Sequence, residues 1–336
     1  MKYSLSKLTL LVVLVIALLP GKPAAASTPR FKIVDLGNLG GPISSALGIN
    51  ERGQVVGYSG VTPFLWHAFL WQNGRMTDLG ALPGGSFSSA LAINNSGQVV
   101  GYSSTASGGI HAVLWKKGRI IDLGTLPGGS SSTAAAINDL GQIVGQSDND
   151  QGIGRAFLWQ NGKMTDLGTL PGGSSSNASA INASGQVVGM ADNGTGVSHA
   201  FLWSRGVMTD LGTLPGSSSF TPNAINERRQ VTGYGDVAGS SHALLWQKGR
   251  FTDLGTLPGG SISAAFAINQ RGLVVGESDM ASGEFHAIFW QNGSILDLGT
   301  LPGGAFSFAY AINGRGQIAG SSNDALNNTH AVLWTR

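Results

Sequence analysis

The sequence contains no cysteine. Disulfides, thiolate metal sites and lipid attachment at a cysteine are therefore excluded, and non-covalent packing alone must hold the fold. Charge is also scarce: Asp, Glu, Lys and Arg make up 11 % of 336 residues. No segment repeats its apolar residues at helical spacing, which argues against an α-helical protein. Beyond the N-terminus, no apolar run is long enough to span a membrane.

That N-terminus is the one long apolar stretch. Lys2 and Lys7 precede "LTLLVVLVIALLP", and Ala24-Ala25-Ala26 offers the small-x-small pattern of a cleavage site. Residues 1–26 are expected to be a signal peptide cleaved after Ala26, leaving a single domain over 27–336, either secreted or periplasmic. Taking Lys2, Lys7 and Lys22 from the 20 basic residues leaves 17 against 18 acidic ones. That balance does not point to nucleic acid.

What is abundant is glycine, 52 residues of it, as a chain of short strands and turns requires. The word "DLG" recurs with its aspartate at 35, 78, 122, 166, 210, 253 and 297, in steps of 43 or 44. Repeats of this length suit four-stranded propeller blades. Each unit offers four strands, in the second copy "HAFLW" (67–71), "RMTDLG" (75–80), "SALAIN" (89–94) and "QVVGYS" (98–103). Asn73-Gly74 is a two-residue hairpin signal. It sets a register that puts His67, Phe69, Trp71, Met76 and Asp78 on one face of the hairpin. Both faces are largely apolar, so the hairpin needs burial on both sides. Asn at 50, 94, 138, 182, 226, 269 and 313 is read as a turn initiator.

The chain begins with a second strand, "FKIVDLG", and ends with a first strand, "HAVLW". Paired, they complete a ring. The expected fold is all-β, a seven-bladed β-propeller of four-stranded antiparallel blades, its closing blade shared between N- and C-terminal strands. "SALAIN" is expected to line the axis, and "LPGG" to connect blades.

The pattern "HAFLW…DLGTLPGG…AxAIN…GQVVG" resembles the HAF repeat of exported bacterial proteins, over essentially the whole mature chain. The resemblance implies an extracellular or periplasmic repeat protein and carries no settled activity. The chain departs from it at Arg155, where His is expected, and the fifth repeat is the least regular.

All six histidines share one repeat position. Each is expected to brace an aspartate diagonally across its hairpin: His67 with Asp78, His111 with Asp122, His199 with Asp210, His242 with Asp253, His286 with Asp297, and His330 with Asp35. Packed sheets lie ~10 Å apart, too far for these histidines to share a metal. No catalytic triad is apparent, and no phosphate loop follows "LPGG".

Topology places both short turns of each blade on one face of the disk and both long connections on the other. Thirteen Lys and Arg residues cluster at the short turns, opposed only by Glu51, Asp139 and Glu227. Asp148, Asp150, Asp192, Asp236, Glu277, Asp279, Glu284 and Asp324 all follow the fourth strand, and are expected in the variable loops of the opposite face. Three readings follow. The first is a non-catalytic binding module, with Asp148, Asp150, Asp192, Asp236, Asp279, Glu284 and Asp324 as ligand contacts for a carbohydrate or surface polymer. Calcium is a possible cofactor, with "SDNDQG" and "ADNGTG" the best local offers. The second is an adhesive protein docking through its basic face onto an anionic surface. The third is a hydrolase or lyase with a site on the long-loop face, where Asp148, Asp150 and Glu284 look idiosyncratic. A monomer without catalytic or metal residues is the expected form.

Overall fold

The computed structural model describes residues 31–217 and 219–336, so the expected signal peptide lies outside the described residues. Strand β1 (Lys32–Asp35) is followed by a first blade of β2 (Ser44–Ile49), β3 (Val55–Thr62), β4 (Leu65–Gln72) and β5 (Arg75–Asp78). Strands β6 to β25 repeat that plan in five further blades between Ser88 and Asp297. The last blade contains β26 (Ser307–Ile312), β27 (Ile318–Asn323) and β28 (Thr329–Thr335), and takes β1 as its outermost strand. Lys32 faces Thr335 and Asp35 faces Val332. The molecule is thus a seven-bladed β-propeller, and strands from both ends of the sequence close it.

The expected hairpin register holds. Phe69 faces Asp78, Trp71 faces Met76, and the turn residues Asn73 and Gly74 take φ of 52° and 78°. Such a turn twists in the same sense as its strands, which is why Asn-Gly selects it. Side chains alternate across β4, so the fully buried Ala68 and Phe69 face opposite neighbours. The core accordingly lies between blades. Val56 and Ala68 of the first blade pack with Val99, Val113 and Trp115 of the second. At the closure, Val55 and Phe69 meet Ala319, Ala331 and Leu333.

Two local devices repeat. Each inner strand carries a β-bulge, seen first between Ala46 and Gly48, so Leu47 has no partner on β3. Facing it, Gly57 lies so close to the Ser45 carbonyl that a Cβ could not fit. This accounts for the glycine of "GQVVG". A buried serine also clips neighbouring blades together: Ser88 Oγ donates to Gly80 O at 2.7 Å and accepts from Ala68 N at 2.9 Å. In the irregular fifth blade Phe220 takes this position and packs edge-on against Phe251, centroids 5.0 Å apart.

Candidate functional site: the propeller axis

Asparagine builds the frame of the axis. Asn50 Oδ1 accepts from Arg52 N and Gln54 N, each at 3.0 Å, and so closes the inner turn as expected. The amide's other half does something the sequence did not suggest. Nδ2 of Asn50, 94, 138, 182, 226 and 269 each donates to the backbone carbonyl of the next such Asn, at 3.0–3.2 Å. Asn313 returns the chain of bonds to Asn50.

The next residue in each turn forms a partial second ring. Glu51 N donates to Asn95 Oδ1, Asn95 N to Asp139 Oδ1, Glu227 N to Gln270 Oε1, and Gly314 N to Glu51 Oε1, at 2.7–2.9 Å. Ala183 N likewise donates to Glu227. Glu51, Asp139 and Glu227, the three carboxylates expected at the short turns, therefore ring the axis.

The bulge decides what the axis presents. It turns one residue per blade inward: Leu47, Leu91, Ala135, Ser179, Asn223, Phe266 and Tyr310. These seven line an axial cavity of ≈ 420 Å³. Its wall is two-sided. One arc is apolar, with Phe266 and Tyr310 on adjacent blades at a centroid distance of 5.4 Å and Phe308 stacked on Tyr310 at 6.1 Å. The other is polar, with Ser179, Asn177 and Asn223 joined by Thr133 and Gln146. Asn223 is steadied by its Nδ2 bond to Ala265 O at 2.9 Å, and Asn177 Oδ1 accepts from Met190 N at 3.1 Å.

Beside the aromatic arc is Glu277. The expectation of a loop residue was wrong: it lies inside β23 (Val274–Asp279), opposite Ala264. Its repeat position is held elsewhere by Tyr58, Tyr102, Gln146, Met190, Tyr234 and Ser321. Burial pushes its carboxyl up to about 7. Burial also pushes the Tyr310 phenol up to about 12, against a lowering bond to Ser321, with the charge of Glu277 adding to the rise. The sequence signal for this site was the variable letter in "AxAIN", together with one carboxylate in a column of neutral residues.

The expected ligand contacts are spread around the long-loop rim, and most serve their own loops. Asp148 Oδ1 accepts from Ser130 N and Ser131 N at 2.9 and 2.7 Å. Burial pushes this carboxyl up, but bonds from Ser131 and Ser130 outweigh it and leave it below the usual range. Asp279 accepts from Ser261 N and Ile262 N in the same way. The backbone amides of Gly194 and Ser174 hold half-buried Asp192 low, and those of Asn328 and Leu326 hold Asp324 low. Asp236 Oδ1 accepts from Gly239 N at 3.0 Å, and Glu284 Oε2 from Ser282 Oγ at 2.9 Å. Asp150 is exposed. Among the described residues, no three His, Asp or Glu side chains are grouped so as to hold a metal ion.

The histidine–aspartate pairs form on the outer hairpins. Nδ1–Oδ2 distances run from 2.7 to 3.0 Å for His67–Asp78, His111–Asp122, His199–Asp210, His242–Asp253, His286–Asp297 and His330–Asp35. Where His is missing, Arg155 Nε takes its place and meets Asp166 Oδ2 at 3.0 Å. A cation of another shape thus keeps the same contact.

No family model and no curated protein matches this chain. Solved structures do resemble it. The β-propeller domain of the Trilobed protease from Pyrococcus furiosus, described as having an open velcro topology, superposes with a TM-score of 0.54 at 8 % identity, over 87 % of this chain and 93 % of that one. A puromycin hydrolase gives 0.54 at 10 % identity, over 84 % of this chain and 50 % of its own. A Mycobacterium tuberculosis puromycin-hydrolyzing peptidase gives 0.52 at 12 %, over 81 % and 46 %. This chain spans about half the length of those two hydrolases. At such identities the likeness is one of fold, and the fold shared is the β-propeller.

Proposed function

We propose that this is an exported binding module of the HAF-repeat kind, and that its axial cavity takes a sugar. The observation that carries the reading is the two-sided wall. A sugar ring has an apolar C–H face and a rim of hydroxyls. Phe266 and Tyr310, the latter backed by Phe308, supply a surface for the first; Ser179, Asn177, Asn223, Thr133 and Gln146 supply amides and hydroxyls for the second. Ligand sites of this kind combine aromatic area with a few placed polar groups. Glu277, next to Tyr310, has its carboxyl pushed up by burial, so that it can donate a bond as well as accept one. Binding is favoured over hydrolysis because glycoside cleavage uses a pair of carboxylates, and Glu277 is one.

The test is a glycan array probed with the protein, with calcium and with chelator, followed by calorimetry on any sugar retained. Tyr310→Ala and Phe266→Ala should each weaken binding at least about tenfold, the loss of a well-packed anchor. Asp150→Asn, on the rim, should leave it unchanged. No retained sugar, or equal binding by Tyr310→Ala, would overturn the reading.

A further inference from the structure

On the short-turn side a groove of ≈ 430 Å³ opens between the first and second blades. Leu70, Val99 and Trp115 form its apolar floor, and Arg52, Lys116, Lys117 and Arg119 line its rim. The last three belong to the turn between β8 (Ile110–Lys116) and β9 (Arg119–Asp122). Where the first, third and sixth blades place Gln-Asn-Gly, this turn reads Lys116-Lys117-Gly118.

All four cations are exposed. Among the described residues, no lysine, and no arginine except Arg155, lies within ion-pair distance of a carboxylate. The one carboxylate in the groove wall, Asp78, is bonded to His67 at 2.9 Å. Glu51, beside Arg52, is bonded to Gly314 N at the axis. The floor holds a second unmatched group. Trp290 and Trp334 donate from Nε1 to Leu254 O and Leu298 O at 3.0 Å, whereas the buried Nε1 of Trp115, like that of Trp246 in the fifth blade, has no partner.

We propose that this groove binds an acidic polysaccharide, whose sulfate or carboxylate groups meet Arg52, Lys116, Lys117 and Arg119. Like charges along a groove with low-dielectric walls focus their field and raise the local concentration of an anionic chain. Nucleic acid fits less well. Single strands are held by stacking bases on exposed aromatic faces, and the aromatic here, Trp115, is buried at 4 % exposure. The site is remote from the axial cavity, so either reading can fail without the other.

The test is fluorescence anisotropy with a labelled dextran sulfate oligosaccharide, with neutral dextran and duplex DNA as comparisons. One variant, Lys116→Gln with Lys117→Asn, restores the Gln-Asn-Gly turn of the first and third blades. The matched control, Lys248→Asn with Arg250→Ser, gives the fifth blade the turn sequence of the sixth and removes the same charge. Both turns are native to this fold, and a thermal melt of each variant checks that it is intact. Dextran sulfate should bind and weaken with salt. The first variant should lose about tenfold in affinity and the control less than about twofold, since only bound anions release counterions. Equal losses in the two variants, tighter binding of DNA, or no binding of dextran sulfate would each overturn the proposal.

Discussion

Asn313 donates from Nδ2 to the carbonyl oxygen of Asn50 at 3.0 Å, across 263 positions of sequence. It is the bond that makes a circle of the inner strands. The same side chain accepts from Arg315 N and Gln317 N at 3.1 and 3.0 Å, and donates to Gln317 Oε1 at 2.8 Å. Four bonds therefore depend on one buried amide.

Asn313→Ala should cost about 2–3 kcal/mol, because buried backbone groups lose partners that water cannot replace. Asn313→Asp keeps the acceptor but turns a carboxylate onto Asn50 O and Gln317 Oε1. At pH 7 it should be at least as destabilising. Urea melts of both variants measure this, and a tolerated Asp would show that the donor bonds contribute little.

The closing blade makes a second prediction. β28 lies between β27 and β1, and Trp334 is fully buried. Trp334→Ala should cost about 3–5 kcal/mol from lost packing. Deleting residues 330–336 should cost more, since it also strips β1 of β28, the strand it pairs with. An unchanged melting temperature for the deletion would contradict closure by shared strands.

Much of this was legible beforehand because it repeats. Seven copies of "DLG" gave the blade count, Asn73-Gly74 the hairpin register, and the complementary ends the closure. What escaped the sequence was direction. "SALAIN" reads as a regular strand, and nothing in its composition marks the bulge that turns Leu91 to the axis. Asp148 and Asp279 read as loop acids open to a ligand. They are in fact the final residues of their strands, and their carboxylates turn back onto backbone amides of the preceding connection, Ser131 for Asp148 and Ser261 and Ile262 for Asp279. Averaging the repeats hid the rest. Glu277 is one carboxylate in a column that otherwise varies among Tyr, Gln, Met and Ser, and Arg155 reads as a lost brace although its guanidinium meets Asp166.

Glu277 makes the third prediction. Burial pushes its carboxyl from the ordinary 4.5 up to about 7, so the native state resists its ionisation. Below pH 4.5 folded and unfolded chains both hold the proton, and the site carries no penalty. As pH rises from 4.5 towards 7 the unfolded chain ionises first, and stability declines until the folded carboxyl also ionises. Glu277→Gln should flatten that decline and leave the variant more stable than the parent at pH 8. Melts at pH 4.5, 6 and 8 decide it: parallel curves for the two proteins would mean that Glu277 titrates normally.

The bulge gives the propeller an economy of its own. Turns, clips and the asparagine circle are carried by residues that barely change from copy to copy, while the residue tipped inward by each bulge is free to be Leu, Ala, Ser, Asn, Phe or Tyr. The axis behaves as a combination lock with seven independent wheels. Turning one alters what the axis presents without disturbing the scaffold that holds the others, so point substitutions at a single column of the repeat are enough to reshape the wall of the cavity.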